Sequence, residues 1–115
     1  MDEVTFVIPT FGRYSLHKAL DSLRNQTNQN WKAIVIFDNH PITINQNEKV
    51  KAFTYDLTNP SGGAGIVRNY ALPMIDTKWL AFLDDDDFLD QTYVANIFEY
   101  GKNYDLIIFN YRDIE

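Results

Sequence analysis

Short, continuous apolar runs punctuate this chain at nearly regular intervals, separated by polar stretches of mixed character. Val4–Ile8, Trp31–Phe37, residues 50–55, Trp79–Leu83 and Tyr104–Phe109 are rich in β-branched and aromatic residues. Most of them are continuous rather than alternating, and runs of this kind and length predict strands covered on both faces. Pro9 is expected to stop the first of them. Between strands one and two, Ser15 is placed to cap a helix over about 16–25. Leu16, Leu20 and Leu23 share one face of it, while Lys18, Asp21 and Arg24 lie elsewhere. A second helix is expected over about 64–74, ended or kinked by Pro73. A third is expected over about 91–101, capped by Asp90 and closed by Gly101.

Strands and helices therefore alternate, which predicts an α/β fold: a Rossmann-like, mostly parallel sheet of about five strands with flanking helices. Right-handed crossovers bring the strand-to-helix loops to one edge of such a sheet. Those loops are 9–14, 38–48, 56–63 and 84–90. With no repeat, low-complexity segment or linker, residues 1–115 form a single domain.

Composition narrows the function. Hydrophobic residues at 45% and aromatics at 15% suit a packed core. Lys plus Arg is 10 against 16 Asp plus Glu, a net charge of −6, which argues against general attraction to nucleic acid or anionic membrane. A local basic spot for phosphate is still allowed. There is no cysteine, hence no disulfide framework and no thiolate site. The acidic start Met1-Asp2-Glu3 does not resemble a signal peptide, and no apolar stretch is long enough to span a bilayer. A cytoplasmic protein is expected.

The strongest chemical signal is Asp84-Asp85-Asp86-Asp87, directly behind the fourth apolar run. Carboxylates there emerge together at the carboxyl end of a strand, the edge where open α/β sheets bind ligands. Like charges about 4 Å apart repel by about 1 kcal/mol per pair even in water. A hard divalent cation with oxygen ligands would offset that cost. A solvated acidic loop is the plainer alternative, but such a loop has no need to follow a buried strand so abruptly. Gly62, Gly63 and Gly65 allow close backbone approach and lead into a helix amino terminus, which favours anions. They match neither the P-loop nor the dinucleotide pattern. Arg68, about one turn into that helix, can pair with phosphate or with the aspartates. Asp38, ending strand two, can accept hydrogen bonds from a ribose or base. Phe11 and Arg13, just after strand one, can flank a base. His17 and His40 do not have metal-pair spacing, and no Ser-His-Asp set is recognisable. Metal, diphosphate and ribose together would use the carboxylates, the glycine loop, Arg68 and Asp38.

In this order the motifs resemble the family-2 glycosyltransferases, which have the GT-A fold. Val4-Thr5-Phe6-Val7-Ile8-Pro9-Thr10-Phe11-Gly12-Arg13 looks like their first strand and nucleotide loop. Ser22-Leu23-Arg24-Asn25-Gln26-Thr27 matches the end of their first helix, and Ile34-Val35-Ile36-Phe37-Asp38-Asn39 their second strand. Gly65-Ile66-Val67-Arg68-Asn69-Tyr70-Ala71-Leu72 is similar to their glycine-to-Arg-Asn helix, and Phe82 to Asp87 to their Asp-x-Asp signature. The resemblance implies a nucleotide-diphosphate sugar donor, a UDP-sugar favoured, and Mn²⁺ or Mg²⁺. By position, Pro9, Thr10, Phe11 and Asp38 would hold the nucleobase, with Arg13 nearby and Arg68 fixing the base or the acidic loop. Asp84 and Asp85 would face ribose or the metal shell, and Asp86 would be the direct ligand. The implied reaction is inverting sugar transfer of the hexosyltransferase type to an unknown acceptor.

Two departures stand out. Phe37-Asp38-Asn39-His40 has one acid where the family often has two. Family members also continue well past this point, into the half that carries the acceptor site and the general base. Asp113 and Glu115 match no such motif, so no general base is assigned. A partner chain, such as a second copy in a homo-oligomer, is a candidate source of the acceptor half. The alternatives are a non-catalytic nucleotide- and metal-binding module lacking that half, and a nucleotidyltransferase. The latter would want a glycine- and lysine-bearing loop where Pro9–Tyr14 offers only Gly12 and Arg13.

Overall fold

The computed structural model describes residues 3–38, 40–55, 70–101 and 108–110. Five parallel strands form one sheet in the order β3-β2-β1-β4-β5: β1 (Val4–Thr10), β2 (Trp31–Asp38), β3 (Val50–Tyr55), β4 (Trp79–Phe82) and β5 (Ile108–Asn110). The expected α/β class and mostly parallel sheet hold, with five strands among the described residues. No helix among the described residues is long and apolar enough to cross a membrane.

One face of the sheet carries two helices, α1 (Ser15–Arg24) and α2 (Tyr93–Gly101). Leu16, Ala19, Leu20 and Leu23 of α1 are fully buried against Val4, Phe6 and Ile8 of β1 and their neighbours. Their spacing puts them on one stripe, and fully burying each leucine is worth roughly 1.5–3 kcal/mol. That burial holds α1 without a cap. Tyr14, not Ser15, occupies the N-cap position, and it makes no side-chain cap bond. Ser15 is the first helical residue, and its buried Oγ has no hydrogen-bond partner. The expected Ser15 cap is therefore absent, a loss of about 1 kcal/mol that is small beside the leucine stripe. The opposite face packs Val7, Ile34, Ile36 and Leu80 against Tyr70, Ala71, Met74 and Ile75. Pro73 lies in a 3₁₀ turn, Leu72–Met74, after the helical residues Tyr70 and Ala71. The rest of the expected second helix, 64–69, lies outside the described residues.

Further boundaries differ from expectation. β1 continues through Pro9 to Thr10, pairing with β2 as far as Thr10 opposite Phe37. β4 ends at Phe82, one residue early. α2 begins at Tyr93, because Asp90 Oδ1 accepts from the Thr92 N–H at 3.0 Å and so holds 90–92 as a turn ahead of the helix. β5 is described over 108–110, and the earlier part of its expected run, 104–107, lies outside the described residues.

Gln26 ties the two helices together. Its Nε2 donates to the carbonyls of Asp90 at 2.6 Å and Ser22 at 3.0 Å, and its Oε1 accepts from the Val94 N–H at 2.9 Å. Gln26 itself is 4% exposed, and its bond to the Val94 N–H is buried.

Candidate donor and metal site

Pro9 creates the geometry of the carboxyl edge. The Leu83 N–H donates to the Val7 carbonyl at 3.1 Å, so Val7 faces β4. Pro9, two residues on, faces the same way. It has no N–H to continue that ladder. Pairing with β4 therefore stops at Val7 opposite Phe82, while pairing with β2 runs on. β4 is released from the sheet immediately before the aspartates.

The four carboxylates then divide. The Asp87 N–H donates to the Asp84 carbonyl at 3.1 Å, closing a tight turn. Oxygens of Asp84, Asp86 and Asp87 lie within 4.8 Å of one another. Asp84 and Asp86 are exposed and Asp87 is half-buried, and the buried Asp87 Oδ2 has no hydrogen-bond partner. Oxygens on opposite sides of a hard divalent ion, about 2.1–2.5 Å from it, stand about 4–5 Å apart. The trio and its orphaned oxygen thus fit such a cation.

Asp85 turns the other way and is only 5% exposed. Its Oδ2 accepts from the Thr10 hydroxyl at 2.7 Å and makes a longer contact with the Phe11 N–H at 3.4 Å. The Arg13 Nε stands 3.6 Å from the same oxygen. The Gly12 N–H donates to Thr10 Oγ1 at 3.1 Å. Phe11 is 58% exposed, with the Arg13 guanidinium 5.5 Å from the centre of its ring. A cleft of about 310 Å³ is lined by Pro9–Phe11, Arg13 and Asp84–Asp86.

Gly12 joins this loop to the next one. Its φ is +79°, and a Cβ there would sit 2.1 Å from the His40 carbonyl oxygen. Only glycine allows both. The His40 N–H in turn donates to the Asp38 carbonyl at 2.7 Å. Asp38 ends β2 at the same edge and is 2% exposed, but it does not line the cleft. The structure therefore gathers Pro9, Thr10, Phe11, Arg13, Asp84, Asp85 and Asp86 around one cleft, and Asp38 is not among its lining residues. Arg68, Gly62, Gly63 and Gly65 lie outside the described residues, as do Asn39, Asp113 and Glu115.

Asp86, the direct ligand the resemblance implies, lies in the cluster, and Asp84 and Asp87 stand beside it. Gly12 carries no site role by sequence, although a glycine between an aromatic and an arginine in a strand-end loop is a sign of close backbone contact.

Comparison with known proteins gives a consistent result. The model of the family described as Glycosyl transferase family 2 matches residues 5–115. Poly(ribitol-phosphate) beta-N-acetylglucosaminyltransferase TarP of Staphylococcus aureus (strain N315) is 34% identical over 121 residues, which cover 96% of this chain and 37% of TarP. Glycosyltransferase GlyA of Streptococcus pneumoniae serotype 4 (strain ATCC BAA-334 / TIGR4) is 27% identical, over 96% of this chain and 17% of GlyA. Among solved structures, S. aureus TarS 1-349 in complex with UDP-GlcNAc superimposes with a TM-score of 0.70 at 18% identity, covering 88% of this chain and 31% of that one. TarS 1-349 in complex with UDP gives 0.68 at 20% identity, with 88% and 32% coverage. The chain thus spans little more than a third of TarP and less of the others.

Proposed function

The chain belongs to glycosyl transferase family 2, and from this premise we propose that it binds a nucleotide-diphosphate sugar through Mn²⁺ or Mg²⁺, as the donor-binding part of an inverting hexosyltransferase. The observation that carries the reading is the side-by-side arrangement of a carboxylate trio and an exposed Phe11–Arg13 pair in one cleft. A UDP-sugar is the favoured donor, because the TarS neighbours bind UDP and UDP-GlcNAc.

In this reading Phe11 offers its ring face to the base, and Pro9 and Thr10 form the wall beside it. Arg13 carries positive charge to the diphosphate side of an otherwise acidic cleft. Asp86 and Asp87 hold the cation, and Asp84 lies where it reaches either the cation or the ribose. Asp38 and Arg68 complete the base end. A bound cation would supply Lewis-acid stabilisation of the leaving diphosphate. The residues named here bind and orient the donor. Deprotonation of the acceptor is assigned to none of them, because the chain spans 37% of TarP and the reading is confined to the donor. A cytoplasmic location fits a cysteine-free chain.

Calorimetry with UDP in the presence and absence of Mn²⁺ tests this. Metal-dependent binding is expected, and Asp86→Ala should abolish the metal dependence while the chain stays folded. A folded sample that binds neither UDP nor GDP with Mn²⁺ present would sink the reading. Slow hydrolysis of a nucleotide-sugar donor by the wild-type chain separates an enzyme from a binding module, which would show none.

A further inference from the structure

Asp85 is the one member of the aspartate run that the cation reading does not employ. It stands on one side of a bonded circuit. Its Oδ2 receives the Thr10 hydroxyl proton at 2.7 Å, faces the Phe11 N–H at 3.4 Å and stands 3.6 Å from the Arg13 Nε. A hydroxyl has one proton and two lone pairs. Because Thr10 gives its proton to Asp85, it is left as an acceptor, and the Gly12 N–H fills that role at 3.1 Å. Every residue from Thr10 to Arg13 thus directs a donor, directly or through Thr10, at one buried oxygen. The far side of the loop is pinned where Gly12 packs on the His40 carbonyl. A buried carboxylate is costly without partners, and among the described residues its partners come from the loop that carries Phe11 and Arg13.

We propose that Asp85 is a positioning residue that clamps the Thr10–Arg13 loop to the Asp84–Asp87 turn, setting the distance between the base-holding and cation-holding halves of the cleft before any donor arrives. The use of the clamp rests on the donor reading above. Its existence does not. Asp85 is not one of the carboxylate trio, and its role is to hold the loop. It spares the donor the cost of ordering two separate loops, which is how preorganisation raises affinity.

Two measurements on the full chain test this. The first is amide hydrogen exchange at Phe11 and Gly12 without ligand. The second is UDP affinity with Mn²⁺ present. Asp85→Asn, which keeps acceptor oxygen but loses the charge facing Arg13, should speed exchange and weaken UDP. Thr10→Val should do both by on the order of tenfold. Thr10→Ser should restore both, since only the hydroxyl is needed. The double substitution Thr10→Val with Asp85→Asn should cost no more than the larger single effect, because both break one device. The affinity for Mn²⁺ alone should be unchanged in Thr10→Val and Thr10→Ser, which leave the charge of the aspartate turn as it is. If wild type binds no UDP, the donor reading fails and the proposed use of the clamp fails with it. If wild type binds UDP but Thr10→Val matches it in both measurements, or the two substitutions add, the clamp alone is overturned. Should Thr10→Val not fold, Asp85→Asn against Thr10→Ser decides in the same way.

Discussion

Asp87→Asn should make the metal-free protein more stable and the metal-loaded protein less so. The magnitude follows from the trio. Oxygens of Asp84, Asp86 and Asp87 lie within 4.8 Å of one another, and at that distance two unit charges repel by about 0.9 kcal/mol in water. Salt at about 0.15 M, with a Debye length of about 8 Å, cuts each pair to roughly half. Neutralising Asp87 removes two of the three pairs, or about 1 kcal/mol in total. For a chain of this size that corresponds to about 4 °C in melting temperature. The amide also relieves the buried, unpartnered Oδ2 of its charge. With Mn²⁺ the order reverses. At a hundred times its dissociation constant a ligand stabilises by about 2.7 kcal/mol, near 11 °C here. The variant, short of one of three carboxylates, should forgo most of that gain. Thermal melts of both proteins, with and without MnCl₂ at matched ionic strength, should therefore cross. Lowering NaCl should widen the metal-free gap. A variant that melts below wild type without metal would refute the repulsion argument. Equal Mn²⁺ shifts in the two proteins would remove Asp87 from the cation site.

Gly12→Ala should destabilise the protein by more than about 1 kcal/mol and weaken UDP binding, since its Cβ would meet the His40 carbonyl at φ +79°. Urea denaturation and calorimetry read the two effects, and unchanged values would mean that the loop is not held there. Gln26→Ala should cost about 1–3 kcal/mol, because it removes three hydrogen bonds and strands the buried Val94 N–H. UDP affinity should survive wherever the chain stays folded. The backbone N–H and the hydroxyl of Thr92 hold the Asp90 carboxyl below its ordinary range. A depressed folded-state value contributes stability above the unfolded value, near pH 4, and loses it as pH falls through the folded one. The stability gap between wild type and Thr92→Val should therefore shrink on acidification, and a gap that grows would reverse the assignment.

The parts of this fold legible in sequence are those set by local pattern. The leucine stripe of α1 has helical spacing, and β2 is an unbroken apolar run, so each identifies itself within a few residues. What was not legible depends on partners far away in the chain. Gln26 looks like turn chemistry, yet it is fixed by residues 64 and 68 positions downstream. Ser15 looks like a cap, but the leucine stripe draws it inside the helix. The four aspartates are identical as letters, so nothing in the run distinguishes the one that turns inward. Thr10, 75 residues away, selects Asp85 by offering a hydroxyl at 2.7 Å.

Pro9 links these two kinds of information. As a local signal it says that a strand ends, and on the β4 side that is true, since pairing stops at Val7. On the β2 side it is false, since pairing continues to Thr10. A proline lacks one donor, and a strand residue presents that donor to only one neighbour, so the break is one-sided. The asymmetry is what the cleft requires. Had both ladders stopped at Ile8, Thr10 would hang in a loose loop with no fixed place from which to hold Asp85. Had both continued, β4 would carry Asp84 and Asp85 onward as strand residues on opposite faces of the sheet. A one-sided break keeps Thr10 on a rigid strand while the aspartates curl back toward it.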